Sequence, residues 1–198
     1  MNEPLDQIRE IRSMLERSSR FLSLSGLSGI SAGICGLLGA WHVHQNIMSW
    51  DLNQAGDESK ELIIRDAIVV LGAALVLVVF FSLRRVKLQG QKVSGPAVRQ
   101  LLKTLAIPLI TGGVLCLGLV VHGNFAYGGA LSMIFYGLAL VTASRHTVSE
   151  TYSLGLIQIL LGLAAFFFPE YGLLLWVIGF GGLHIIYGLV MYLKYERV

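Results

Sequence analysis

The last long apolar stretch of the chain, GLLLWVIGFGGLHIIYGLVMYL at residues 172–193, decides the fold class. It contains no Asp, Glu, Lys or Arg, and it is long enough for a membrane, because a spanning helix needs about 20 mostly apolar residues. Lipid offers no hydrogen-bond partners to the backbone, so such a stretch satisfies its peptide groups only as a helix. The sequence therefore predicts a transmembrane helix with one ionisable side chain, His184, in its interior.

Five further stretches have the same character, at about 21–43, 64–83, 104–122, 125–144 and 151–168. Over the whole chain 55% of the residues are hydrophobic and 14% are charged, whereas soluble domains carry nearer ~25% charged residues. We predict an all-α membrane protein with six transmembrane helices in a single bundle domain, residues 21–198. The short turns at 122–124 and 169–170 favour an arrangement of three antiparallel hairpins.

The first twenty residues form a separate region. Leu5, Ile8, Ile11 and Leu15 recur at helical spacing between charged residues. This pattern predicts an amphipathic cytoplasmic helix over residues 1–20, lying on the membrane surface or packed on a partner.

The basic residues predict the orientation of the bundle. Thirteen of the 15 lysines and arginines fall at one membrane face, in the N-terminal segment, the 84–103 loop, the 145–150 loop and the C-terminal tail. Only Lys60 and Arg65 fall at the other face. Cytoplasmic loops carry the excess of basic residues, so both termini are expected in the cytoplasm of a bacterial inner membrane. The 84–103 loop then faces anionic lipid headgroups, which we favour over nucleic acid because no aromatic residues are interleaved with its charges.

Small residues predict where helices approach closely. The first stretch carries Gly29 and Gly33 four residues apart, and a second stripe of small residues on another face. Small residues let helix backbones pack closely in lipid, so this helix should contact neighbours along two faces. The fourth and sixth stretches share the pattern FYGLAL and IYGLVM around Gly137 and Gly188, which indicates an internal repeat of the hairpins.

His184 is the candidate functional residue. It shares a helix face with Gly181 and Gly188, and the preceding stretch has a matching face that carries Gln158 and two glycines. Counted from the turn at 169–170, Gln158 and His184 lie within about one helical turn in depth. We expect the glycines to bring these two helices together, so that Gln158 and His184 meet in a structural hydrogen bond. The alternative is a proton relay or ligand site in a cavity lined by His184, Gln158 and Tyr187, because ionisable groups inside a membrane mark function by default.

A second group of polar residues is expected at the outer membrane face. His42 and His44 end the first stretch, His122 ends the third, and Asp66 begins the second. Imidazole and carboxylate groups bind transition metals, so these four residues are a candidate metal site. The alternative is a set of histidines that simply prefer the interface.

The last hairpin, residues 154–197, resembles hairpins of the HdeD-like acid-resistance membrane proteins. The matching features are a glycine-bearing helix, a proline in the outer turn, and a second helix with spaced glycines and a basic end: Gly162, Pro169, Gly181 and Gly188. The resemblance implies six helices in three hairpins and a stress-related membrane role without assigned catalytic residues.

The sequence contains no enzyme signature, no paired intramembrane carboxylates and no Walker, zinc or nucleophile motif. We therefore expect a non-enzymatic protein without a cofactor, acting by packing and by contact with the bilayer, a second copy or a membrane protein partner. A small-molecule or proton-linked transport protein using His184 is the first alternative. A membrane metalloenzyme using the outward histidines is the second.

Overall fold

Six apolar helices make up most of the chain in the computed structural model, which describes residues 25–47, 57–88 and 96–197. Each is long and apolar enough to cross a membrane, and the described residues contain no strand. The predicted all-α, six-span fold is confirmed. The amphipathic helix predicted over residues 1–20 lies outside the described residues.

The helices are numbered in chain order. The first five spans are single helices and the sixth is divided into three parts: α1 Gly26–Ile47, α2 Asp57–Leu88, α3 Pro96–Val121, α4 Gly128–Ala143, α5 Glu150–Phe167, and in the sixth span α6 Gly172–Trp176, a π-helical segment Val177–Leu183 and α7 His184–Tyr195. Short 3₁₀ turns precede α4, α5 and α6, at Phe125–Tyr127, Ser144–His146 and Pro169–Tyr171.

The predicted 84–103 loop is largely helical. α2 continues to Leu88, and α3 begins at Pro96. Basic residues at the C-terminal end of α2 interact favourably with the helix dipole, and proline suits the first position of a helix. Both effects favour helix, so α2 and α3 extend beyond the predicted boundaries of their spans.

The bundle has two chemically different ends. The basic end holds Arg85, Glu150, Lys194 and Glu196, and the opposite end holds His42, Asp66 and His122. Of the ten described lysines and arginines, eight lie at the basic end: Arg84, Arg85, Lys87, Arg99, Lys103, Arg145, Lys194 and Arg197. The two others, Lys60 and Arg65, belong to the start of α2 at the opposite end.

Ion pairs join the helices at the basic end. Arg85 of α2 lies 2.9 Å from the Glu196 carboxylate and donates a 3.2 Å hydrogen bond to the Tyr195 carbonyl. The same carboxylate accepts a hydrogen bond from the backbone N–H of Gly26, the first residue of α1. On the neighbouring helix Glu150 pairs with Lys194 and accepts a 3.1 Å hydrogen bond from the Tyr195 hydroxyl. The last residues of the described chain therefore tie α1, α2 and α5 to α7.

The packing of the spans follows an order different from the chain order. α1 packs against α2 on one side and against the π-helical segment and α7 on the other. α4 packs against α5, which is its most extensive contact, and also against α3. α2 and α3 contact each other less than any other pair of successive spans. The expected arrangement of three antiparallel hairpins stays a prediction, since the closest contacts join different hairpins.

Glycines on α1 meet neighbours on two faces, although the α2 contact is made at Gly39, outside the predicted small-residue stripes. A Cβ on Gly29 would lie 2.9 Å from the Cα of Gly188, and a Cβ on Gly39 would lie 2.6 Å from the Val70 side chain. Real side chains do not approach this closely, so only glycine fits at these two positions. α1 is consequently held against the backbone of α7 and against the Val70 side chain of α2.

The glycines of α5 do not face the sixth span. A Cβ on Gly155 would lie 2.8 Å from the Gly137 carbonyl of α4, and one on Gly162 would lie 2.9 Å from the Ala130 carbonyl. On the sixth span, Gly188 faces α1. The prediction that these glycines bring α5 and the sixth span together is wrong. Glycine spacing identifies a face that permits close packing, but it does not identify which neighbour fills it.

Candidate functional site

His184 lies in the interior of the bundle, at the point where the π-helical segment passes into α7. Its side chain is buried, and both ring nitrogens have partners. Nδ1 lies 2.9 Å from the Gly179 carbonyl oxygen, and Nε2 lies 2.8 Å from the Tyr136 hydroxyl. A carbonyl can only accept, so Nδ1 carries the proton; in the neutral ring Nε2 then accepts from the Tyr136 hydroxyl. The contacts therefore define the tautomer of a neutral imidazole.

Gln158 on α5 reaches the same carbonyl. Its Nε2 donates a 2.9 Å hydrogen bond to the Gly179 oxygen, and its side chain is 0% exposed. Gln158 and His184 therefore lie at one depth, as the count from the turn predicts. They do not bond each other directly; instead each donates to Gly179, whose carbonyl has two lone pairs.

The other end of the Gln158 amide has no partner. The Oε1 atom is buried and makes no hydrogen bond with the described residues. It lies against the backbone of Gly179, because a Cβ at that residue would stand 2.7 Å from Oε1 and 3.1 Å from the Met133 sulfur. A buried acceptor without a donor carries a desolvation cost of about 1–3 kcal/mol. This oxygen is therefore an unused hydrogen-bond acceptor close to His184.

Tyr136 is a site residue that the sequence analysis missed. Its ring packs on His184 with centroids 5.3 Å apart and on Phe180 at 5.1 Å. Phe180 stacks on His184 with ring planes only 19° apart. A usable signal was present, because Tyr136 precedes Gly137 in FYGLAL just as Tyr187 precedes Gly188 in IYGLVM.

Tyr187 lies beside the site rather than in it. Its hydroxyl lies 3.0 Å from the Thr151 Oγ1 atom, and Thr151 is 3% exposed. Thr151 directly follows Glu150, the carboxylate that pairs with Lys194 at the basic end.

The candidate metal residues do not assemble into one site. His42 Nε2 lies 3.1 Å from an Asp66 carboxylate oxygen, and Arg65 lies 3.2 Å from the other oxygen. His44 and His122 are exposed. No group of three or more His, Cys, Asp or Glu side chains in the described parts of the chain is placed to hold a metal ion. His42 and Asp66 instead join α1 to α2 at the opposite end.

The site can therefore donate and accept hydrogen bonds between neutral groups. It combines an imidazole, a tyrosine hydroxyl and an amide, contributed by the sixth span, α4 and α5, and the Tyr187–Thr151 hydroxyl pair lies beside it. Comparisons of the chain with protein-family models, with curated proteins and with solved structures found no match.

Proposed function

We propose that this integral membrane helical bundle is not an enzyme, and that it acts through contact with a partner, its basic end lying in the cytoplasm of a bacterial-type inner membrane. The six apolar spans make it a multi-pass membrane protein. The proposed orientation is supported by the concentration of lysine and arginine at one end, because cytoplasmic loops carry this excess.

The observation that carries the proposal is how the polar groups inside the spans are used. His184 Nε2 bonds Tyr136 on α4, the amide N–H of Gln158 bonds Gly179 on the sixth span, and His184 Nδ1 bonds that same Gly179 carbonyl within its own span. Polar side chains in membranes commonly serve as interhelical contacts of this kind. Such contacts favour a packing role for the interior, which leaves the charged ends for recognition.

The contact surface that we propose is the cytoplasmic one, formed by the basic 84–103 region and residues 1–20. A stress-related role is what the resemblance of the last hairpin to HdeD-like proteins favours. It remains a proposal that rests on those few residues.

The test is recovery of a specific partner by crosslinking in cells, followed by its identification. We expect the full chain to capture the same partner reproducibly, and a chain lacking residues 1–20 to lose it. His184→Ala, which alters the interior only, is the matched control and should retain the partner. If the deletion captures the partner as well as the full chain does, or if no partner is captured, the proposed contact function fails.

A second candidate function is proton-linked binding or transport at His184. The unpartnered Oε1 of Gln158, fully buried near the imidazole, favours it. In this case His184→Ala should abolish a pH-driven flux in reconstituted vesicles, while Leu160→Ala, on the exposed face of α5, should not change it. Unchanged flux in the His184 variant would remove this residue from the mechanism.

A further inference from the structure

The bundle is open between α2 and α3. At the contacts of α4 with α5 and of α7 with α1, glycines bring the backbones together. Between α2 and α3 there is no comparable contact: Gly72 on α2 and Gly113 on α3 have no atom within 4 Å of the position that a Cβ would occupy. In both helices only 6% of the apolar window is buried. These two helices therefore border an opening in the wall of the bundle.

α2 presents an exposed stripe that changes character along its length. Lys87, Leu83, Phe80 and Val76 follow one another at helical spacing, and all four are exposed. The stripe begins with a charge at the basic end and continues with apolar side chains toward the middle of the span. Since these residues are exposed, they do not face α1.

α3 presents a matching stripe. Arg99, Lys103, Ile107, Ile110 and Val114 are spaced at three or four residues and are exposed as well. Both helices on the two sides of the opening thus have cations at the same end and apolar surface below them. This is the order of groups along a phospholipid: an anionic headgroup, then acyl chains.

The cations of these stripes are not neutralised by the described part of the chain. No carboxylate described in the structure pairs with Lys87, Arg99 or Lys103, whereas the neighbouring Arg85 is paired with Glu196. A second copy of the chain, placed across the opening with the same orientation, would add more basic residues to this end. Like charges brought together in a membrane interface oppose association, so charge complementarity favours an anionic ligand over a second copy.

We propose that one anionic phospholipid occupies the opening between α2 and α3, with its phosphate at Lys87, Arg99 and Lys103 and its acyl chains along the exposed stripes. This site lies apart from His184. Its three cations belong to the basic 84–103 region, so a bound lipid would occupy part of the surface proposed above for the partner.

The test is native mass spectrometry of the full chain in detergent with added phosphatidylglycerol or phosphatidylcholine. We expect one phosphatidylglycerol per chain to bind at concentrations at which phosphatidylcholine does not. Replacing two cations, Arg99→Gln with Lys103→Gln, should weaken binding about thirtyfold, from the contribution of basic residues near a lipid surface. The matched control is Arg145→Gln with Arg197→Gln, which removes the same charge from the same end but from outside the two stripes, and should change binding no more than about twofold.

A second measurement does not depend on the folding of the charge variants. Ile107→Cys carries a fluorophore in a chain whose Cys35 and Cys116 are replaced by alanine. Phosphatidylglycerol with brominated acyl chains should quench it at a lower mole fraction than brominated phosphatidylcholine does. The same label at Leu160→Cys, exposed on α5, should respond equally to both lipids.

Three results would overturn the proposal. The first is an equal loss of binding in both double variants, which would indicate general attraction to a basic surface. The second is displacement of the lipid by sn-glycerol 3-phosphate, which would indicate a site for a soluble phosphate. The third is a dimer that excludes the lipid, which would make the opening an interface between two copies.

Discussion

The Nε2 atom of His184 lies 2.8 Å from the hydroxyl of Tyr136, and this contact joins the sixth span to α4 across 48 positions of sequence. The same imidazole is fixed on its other side by the Gly179 carbonyl. A histidine with both nitrogens bonded and its ring packed on Tyr136 and Phe180 has one orientation. The contact therefore sets the orientation of the imidazole in the interior of the bundle.

Tyr136→Phe removes this hydrogen bond and keeps the ring. We expect the free energy of unfolding to fall by about 0.6 kcal/mol, and by at most ~1.7 kcal/mol, the range measured for such bonds in a membrane protein. The measurement is reversible unfolding in mixed micelles. A double-mutant cycle with His184→Gln isolates the pair, because each variant alone also disturbs other contacts.

The control for that cycle is Tyr187→Phe. Its hydroxyl bonds Thr151 rather than His184, so its effect should add to that of His184→Gln without coupling. Coupling as large for Tyr187 as for Tyr136 would contradict the assignment of Tyr136 as the partner of the imidazole.

Gly188→Ala should separate α1 from α7. The added Cβ would lie 2.6 Å from the Gly26 carbonyl oxygen and 2.9 Å from the Gly29 carbonyl carbon. These are backbone atoms that cannot turn away, so the helices must move apart. Overpacking of this kind costs about 1–3 kcal/mol, which we expect as a lower unfolding temperature in detergent.

Gly182→Ala is the matched control in the same span, because no atom lies within 4 Å of its added Cβ. It should unfold at or above the temperature of the unchanged protein, since alanine favours helix over glycine. Equal destabilisation by both variants would mean that loss of backbone freedom, rather than contact with α1, explains the effect.

Two ion pairs at the basic end should differ in strength because they differ in burial. The side chains of Arg85 and Glu196 are 8% and 14% exposed, whereas that of Lys194, paired with Glu150, is 56% exposed. Removing one partner of a buried pair leaves an uncompensated charge, so Arg85→Met or Glu196→Gln should cost about 3 kcal/mol. Lys194→Gln should cost much less, because exposed pairs contribute little to stability.

Unfolding at two salt concentrations checks this difference. Screening weakens exposed pairs more than buried ones, so added salt should reduce the effect of Lys194→Gln and leave that of Glu196→Gln nearly unchanged. If Glu196→Gln is as mild as Lys194→Gln, the carboxylate does not tie α1, α2 and α7 together as described.

The sequence alone predicted the six spans because lipid imposes one simple requirement, a long apolar helix, on each of them. Small residues also predicted that α1 packs closely: Gly29 and Gly36 meet the sixth span, but the contact with α2 is made at Gly39, outside the predicted stripes. The neighbours that the glycines of α5 contact were predicted wrongly. Gly155 and Gly162 face α4, whereas the glycine pattern predicted that they face the sixth span. Helical spacing describes one helix and carries no information about the order of its neighbours.

The site was predicted only in part, because helical spacing places residues along one helix but does not show which residues of other helices lie beside them. Gln158 and His184 were placed at one depth by counting from a shared turn, which needs no knowledge of packing. Tyr136 lies on another hairpin, so no count along the chain reaches it. The π-helical segment that precedes His184 was not predicted either, because a π turn differs from an α turn by one residue and leaves the apolar pattern intact.

Labelling from one side of the membrane tests the proposed orientation of the whole bundle. Single cysteines replace two exposed residues, His122→Cys at the opposite end and Arg145→Cys at the basic end, in a chain whose Cys35 and Cys116 are alanine. In intact spheroplasts a membrane-impermeant maleimide should label His122→Cys at once, and Arg145→Cys only after the membrane is permeabilised. The physical reason is the retention of basic segments in the cytoplasm during insertion. Labelling of Arg145→Cys alone would reverse the bundle, and it would move both the proposed partner surface and the lipid headgroup site to the outer face. Labelling of both residues would contradict the placement of α3 and of the link between α4 and α5, since His122 and Arg145 would then share one side.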